Sequence, residues 1–292
     1  MSLRTRRARR RFAAALLLPL AALAAMPAAA ESTPPRGHLL LNGGGGEATG
    51  YWLKFFELAG GKDQPIVIVP TASERPEAGP EYVEELVPLG ATNARWLPIR
   101  TRQDAEQPEI VAALAGARAI FFTGGDQSRI TAAILGTAAE KAIRAVYETG
   151  GVLGGSSAGL ACMSEKMLTG EGDFTRLTAG NVELKPGLGF VTEAILDQHF
   201  VSRQRQNRLI SAVLENPTLL GVGVDERTTI WVKPDRTFEV LGDGWVMIFD
   251  ARKSAIRRIV ADAVTRLAAA ELVTRILVAG DRFDLKSGLP LP

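Results

Sequence analysis

The run Gly154-Gly155-Ser156-Ser157-Ala158-Gly159 sets a serine among residues with almost no side-chain bulk. A hydroxyl at the apex of a tight strand-to-helix turn needs such neighbours, because the backbone must approach closely on both sides. The apolar Gly151-Val152-Leu153 before it and a helix-compatible stretch to about Glu165 after it supply that strand-turn-helix context. Ser157 is therefore a candidate nucleophile, and the Ala158 N–H at the helix start a candidate donor to a developing oxyanion. The simpler alternative is a Gly-rich turn whose serines only cap the next helix.

A hydroxyl nucleophile needs a base, and the chain offers two histidines, His38 and His199. His199 lies in Asp197-Gln198-His199-Phe200, just after the apolar Ala194-Ile195-Leu196, whereas His38 opens a strand-like run. The third partner is a carboxylate that holds the imidazole in one tautomer. Asp225-Glu226 closes the apolar run 219–224, and spacing alone leaves either acid eligible. A second oxyanion donor is expected from the Gly-rich segment Thr123-Gly124-Gly125-Asp126-Gln127, with Gly125 preferred. That segment lacks the lysine of a phosphate-binding loop, and the Gly43 to Gly46 run fits no nucleotide fingerprint either.

These residues fall where an open parallel sheet carries its chemistry, beyond the carboxyl ends of strands. Runs at 38–42, 65–69, 95–99, 119–123 and 151–153 read as strands, and 79–88, 106–115 and 127–148 carry helical spacing between them. The expected fold class is α/β: a mostly parallel, doubly wound sheet of flavodoxin-like or class I glutamine amidotransferase-like kind, with helices on both faces. Hairpin-like runs at 228–233, 237–241 and 245–249 predict an antiparallel extension towards the C-terminus. Residues 253–276, rich in Ala, Arg, Ile and Leu, read as helical before a final strand near 275–278. Cys162, the single cysteine, excludes an internal disulfide and reads as packing, and no spacing suggests a metal or organic cofactor.

Residues 1–30 have the form of a cleaved signal peptide. Arg4, Arg6, Arg7, Arg9, Arg10 and Arg11 make a basic start, 12–26 an apolar core too short to span a bilayer, and Ala28-Ala29-Ala30 a cleavage signal. Without those six arginines the chain carries 28 basic and 32 acidic residues, a formal charge of −4. The pI of 8.8 for the whole chain therefore misleads, and no electrostatic footprint for nucleic acid remains. Residues 31–292 are expected to form a single domain, periplasmic or secreted, free of the membrane once the signal is removed.

The combination of GGSSAG, DQHF followed by spaced arginines, and GVGVDE resembles the cyanophycinases of the S51 serine peptidase family, which also includes aspartyl dipeptidases. The resemblance runs from about Leu39 through Leu285. It implies Ser157 as nucleophile, His199 as base and Glu226 as orienting acid, with Asp225 a structural neighbour. It further implies that Gln127, Asp197, Gln198, Arg203, Arg205 and Arg208 line the substrate pocket. The implied substrate is cyanophycin, or a shorter β-aspartyl peptide, with the β-carbonyl of an aspartyl residue acylating Ser157. Arginines suit the substrate's carboxylates, and Asp197 its amine or guanidinium. On a helix running through this stretch, Arg205 and Arg208 project together and Arg203 points nearly opposite, which makes Arg203 the inward charge beside His199. The resemblance also points to a homodimer. A peptide-binding protein without catalysis is the alternative from another class, which an intact triad argues against.

Overall fold

The computed structural model describes residues 36–292, so the expected signal segment lies outside the described residues. In chain order the first half comprises β1 (His38–Asn42), α1 (Thr49–Ala59), β2 (Ile66–Val69), α2 (Ala78–Leu86), β3 (Ala94–Trp96), α3 (Pro108–Ala115), β4 (Ala119–Phe122), α4 (Gln127–Ile134), α5 (Ala138–Glu148), β5 (Val152–Ser156) and α6 (Ala158–Ala161). The second half is richer in strands: β6 (Lys166–Leu168), β7 (Leu184–Pro186), β8 (Ala194–Asp197), α7 (Gln206–Glu215), β9 (Leu220–Val224), β10 (Thr228–Val232), β11 (Thr237–Gly242) and β12 (Val246–Asp250). It closes with β13 (Ala255–Ala261), β14 (Val264–Ala270), β15 (Val273–Leu277), β16 (Arg282–Asp284) and β17 (Leu289–Leu291).

Nine strands form the central sheet in the order β17-β16-β11-β10-β1-β5-β4-β2-β3. The segment from β1 to β3 is parallel, and β10, β11, β16 and β17 extend it antiparallel from the β1 edge. Strands β2, β4 and β5 are buried along their whole length, as sheets covered on both faces require. One face packs Leu40, Ile66, Ile68 and Phe121 against the aromatic side of α1, while the other packs Leu41, Val67, Ile120 and Leu153 against α3 and α5. A second sheet, β15-β12-β9-β8, pairs β8 with β9 in parallel. Two strand-end loops therefore come from this smaller sheet and one from the large one.

Away from the site, two helical expectations change. The segment 127–148 breaks into α4 and α5 at Leu135-Gly136, where Gly136 takes φ 73 and Thr137 caps α5 by accepting the Glu140 N–H. The Thr-x-x-Glu spacing of a capping box marks that restart. Residues 253–276 are not helical: β13 and β14 form a hairpin about Asp262-Ala263, both at positive φ, as a two-residue hairpin turn demands. Its β-branched Ile256, Ile259, Val260, Val264 and Thr265 outweigh the helix preference of its alanines and arginines.

Candidate active site

Ser157 sits between β5 and α6 with φ 53 and ψ −107, a backbone state that only a constrained turn retains. A β-carbon on Gly155 would enter the Gly159 carbonyl, and one on Gly159 the Phe122 carbonyl, so both glycines are there for close approach. The helix after the elbow ends at Ala161, shorter than the expected run to Glu165, because Ser164 turns away to bridge Val191. Four residues sum too few peptide dipoles for a macrodipole argument. What remains for an oxyanion is the individual N–H groups.

His199 arrives from the loop after β8 and Glu226 from the loop after β9. Ser157 Oγ lies 2.8 Å from His199 Nε2, and His199 Nδ1 lies 2.6 Å from Glu226 Oε1. The contact to the carboxylate fixes the proton on Nδ1 and leaves Nε2 as the acceptor facing the serine hydroxyl. Burial holds the His199 pKa below the ordinary imidazole value and the Arg203 charge adds to that, while the bond to Glu226 pulls it back up. The net shift is downward, towards the neutral imidazole that a general base needs.

Asp225, the other acid left open by spacing, faces away from this line. Its Oδ1 accepts the Val201 N–H, the Ser202 N–H and the Ser202 hydroxyl at 2.8 to 3.1 Å, clamping the turn that follows His199. His38 lies at the other end of β1, paired with Val152 where Asn42 pairs with Ser156, roughly 13 Å along the strand. There it accepts the Trp231 indole N–H. Cys162 is fully buried, and burial pushes its thiol pKa up.

The Gly124–Gly125 peptide passes over the serine: a β-carbon on Gly124 would stand 3.5 Å from Ser157 Cβ and 4.0 Å from its Oγ. Gly125 takes φ 139 with its α-carbon against the Ala72 carbonyl, which leaves room for no other residue. Among the described residues, neither the Gly125 N–H nor the Ala158 N–H meets a backbone acceptor.

The expected pocket residues separate into two groups. Asp197 and Arg208 are each 1% exposed and face each other in a two-pronged pair, Arg208 Nε donating to Asp197 Oδ2 at 2.7 Å and its Nη2 to Oδ1. Asp197 also accepts the Gln198 N–H, so its carboxylate is committed within the protein and does not present itself to a substrate cation. Arg208 additionally stacks on Phe174. Gln127 is buried and donates its amide to the Leu168 carbonyl at 2.7 Å. Arg205 is partly buried against Gln198, donating to its main-chain and side-chain oxygens, and burial beside Arg208 draws its pKa down to about 10.

Arg203 corrects the helical argument. Helix α7 begins at Gln206, so Arg203 and Arg205 stand in the preceding turn and obey no 100° spacing. The Arg203 side chain is 54% exposed, with Nε 4.0 Å from Glu226 Oε1. The inward charge is Arg208, and Arg203 is the guanidinium at the rim of the triad.

Sequence reasoning weighed the Gly43 to Gly46 run only as a nucleotide fingerprint and gave Asn42-Gly43-Gly44-Gly45 no role in the site. The carbonyls of Asn42, Gly43 and Gly44 accept in turn the N–H groups of Ser157, His199 and Arg227, at 3.0, 2.8 and 2.7 Å. Its only sequence signal is a glycine run directly after a strand. Among the described residues no group of three His, Cys, Asp or Glu could hold a metal, and no helix is long and apolar enough to cross a membrane.

A serine on an elbow, backed by His and Glu above a doubly wound sheet, defines the class as a serine hydrolase of α/β architecture. The sequence model of peptidase family S51 matches residues 39–240. The chain is 36% identical over 241 residues to a cyanophycinase of Geminocystis herdmanii, covering 82% of this chain and 89% of that protein. It is 37% identical over 236 residues to a cyanophycinase of Synechococcus elongatus, covering 80% and 73%. A crystal structure of a peptidase from an acI-B1 Actinobacterium shares the fold, with TM-score 0.64 and 23% identity over 86% of this chain and 98% of that one. The chain belongs to peptidase family S51 and is a serine-type peptidase.

Proposed function

We propose that the protein is an exported serine exopeptidase acting on cyanophycin, multi-L-arginyl-poly-L-aspartate, and releasing β-Asp-Arg dipeptides through an acyl-enzyme on Ser157. The observation that carries the reading is the unbroken line from Ser157 Oγ through the His199 ring to Glu226 Oε1, with contacts of 2.8 and 2.6 Å, in a chain 36% identical to a cyanophycinase. Export rests on the basic, apolar and small-residue pattern of residues 1–30, and it assigns the protein to the periplasm or the medium.

The product decides which carbonyl reacts. In β-Asp-Arg the amide joining arginine to the aspartyl side chain survives, so the broken bond lies in the polyaspartate main chain. The acyl group on Ser157 is then an α-carbonyl of the polyaspartate main chain, in place of the β-carbonyl expected from the sequence. His199 Nε2 takes the Ser157 proton as Oγ attacks that carbonyl, and the Gly125 and Ala158 N–H groups face the resulting oxyanion. Collapse breaks the C–N bond, and His199 returns the proton to the departing amine. Water, deprotonated by the same nitrogen, then cleaves the ester and restores the Ser157 hydroxyl.

Arg203, exposed at the rim, and Arg205, partly buried behind it, are the cations available to the carboxylates of a β-arginylated unit. The buried Asp197–Arg208 pair lies beside Arg205, whose Nη1 is 3.9 Å from Asp197 Oδ1. The test is digestion of purified cyanophycin beside β-Asp-Arg and other β-aspartyl dipeptides, with products identified by mass. Release of β-Asp-Arg from the polymer, lost in Ser157→Ala, is the expected result. Cleavage of the dipeptides alone would replace the polymer by small isoaspartyl peptides as the substrate, and retention of uncleaved ligand would make the protein a binder.

A further inference from the structure

We infer that the turn Asn42–Gly45 is the positioning element of the triad, and that the placement of His199 depends on the missing β-carbon of Gly44. This rests on the reading of Ser157 as nucleophile and His199 as its base.

The triad is assembled from two sheets, and this turn touches both contributions. Asn42 ends β1 beside Ser156 in the nine-stranded sheet, whereas His199 and Glu226 follow β8 and β9 of the four-stranded sheet. Three consecutive carbonyls, of Asn42, Gly43 and Gly44, receive the N–H groups of Ser157, His199 and Arg227. Each of those three residues is left-handed, with φ 53, 47 and 51. Non-glycine residues hold that conformation only when their surroundings over-determine it, at about 1–3 kcal/mol each. One short stretch of backbone thus tethers the nucleophile, the base and the residue next to the orienting acid.

The turn is itself locked. Asn42 is buried, its Oδ1 accepts the Gly44 N–H at 2.7 Å, and its Nδ2 donates to Thr229 Oγ1 at 3.1 Å. Three neighbouring glycines share positive φ but differ in what a side chain would meet. A β-carbon on Gly44 (φ 104) would stand 2.5 Å from His199 Nε2, the nitrogen facing Ser157. On Gly45 (φ 79) it would stand 2.8 Å from Glu226 Cβ, and on Gly46 (φ 91) it would meet nothing within 4 Å. Three imidazole atoms, Cε1, Nε2 and Nδ1, lie within 2.9 Å of the Gly44 β-carbon position, so the bare Gly44 backbone forms the wall against which the ring is set.

This difference separates backbone strain from positioning. Gly44→Ala, Gly45→Ala and Gly46→Ala in the full chain share the cost of an alanine at positive φ, which the fall in melting temperature of Gly46→Ala reads free of any clash. The rate of Ser157 labelling by a fluorophosphonate, followed by intact mass across pH, reads positioning alone. Gly44→Ala is expected to slow labelling about 100-fold, as a misplacement of roughly 1 Å does, and to move the acid limb of the profile. Gly45→Ala falls between, and Gly46→Ala stays within about threefold of wild type. Equal rates in folded Gly44→Ala and Gly46→Ala would overturn the proposal. Should Gly44→Ala not fold, Asn42→Ala unlocks the turn without adding a clash, with a slowing of about tenfold expected and an unchanged rate against the proposal. A wild type that takes no label would instead sink the assignment of Ser157 itself.

Discussion

Two ionic groupings flank the loop that carries His199, and they are built to opposite ends. On one side the Asp197–Arg208 pair is sealed, 1% exposed on both partners, with each carboxylate oxygen held by a guanidinium nitrogen. On the other, Glu226 is 36% exposed, holds His199 through one oxygen, and leaves the far ring nitrogen to a half-buried serine. Complete internal pairing makes a rigid floor, whereas a chain of groups with one open end makes a proton path. The difference teaches that a buried charge two residues from the candidate base can serve as scaffold, while a half-exposed one has the geometry of the proposed proton path.

Exchanging charge for neutrality in each grouping draws the contrast out. Glu226→Gln should lower kcat by about 10²- to 10⁴-fold, because the amide no longer fixes the proton on Nδ1, with little change in melting temperature. Asp197→Ala should do the reverse in kind, costing about 3–5 kcal/mol by stranding Arg208 in the interior. In thermal unfolding that is a fall on the order of 10 °C. A variant of Asp197 with wild-type stability would erase the distinction between floor and proton path.

The pH profile sharpens the same comparison. Burial disfavours the imidazolium of His199, so kcat/KM should decline as pH falls with a midpoint below the ordinary imidazole value of about 6.5. Glu226→Gln removes the group that raises this pKa, and its residual activity should titrate at still lower pH. An acid limb above about 6.5 in the wild type would contradict the desolvated base. Arg203→Ala gives the smallest effect on the fold, a stability within about 0.5 kcal/mol of wild type, since the side chain is exposed. A rise in KM for a carboxylate-bearing substrate, with kcat kept, is the expected mark of its place at the rim.

How much of this was legible depended on whether the deciding interaction was local. Ser157, His199 and Glu226 each close an apolar run and so announced themselves as strand-end residues. The parallel core did the same through unbroken runs such as 66–69 and 119–122. Asp225 and Glu226 were inseparable by spacing, because what distinguishes them is the set of N–H donors that the turn after His199 aims at Asp225. Arg203 and Arg208 exchanged roles because the helix start at Gln206 is set by tertiary packing of α7 on β9 and not by a capping signal. The Gly43–Gly45 stretch matched no fingerprint and so carried no assigned role, since its partners are brought to it only by the assembled sheets. The hairpin at 255–270 was hidden by alanines that fit a helix in isolation.

The central claim is that Ser157, activated by His199, is the nucleophile, and it is tested most directly by reacting the purified protein with a fluorophosphonate and locating the adduct by peptide mass. The account predicts one adduct, on Ser157, absent in Ser157→Ala and slowed by orders of magnitude in His199→Ala. Equal labelling of wild type and Ser157→Ala, or an adduct on another residue, would contradict it.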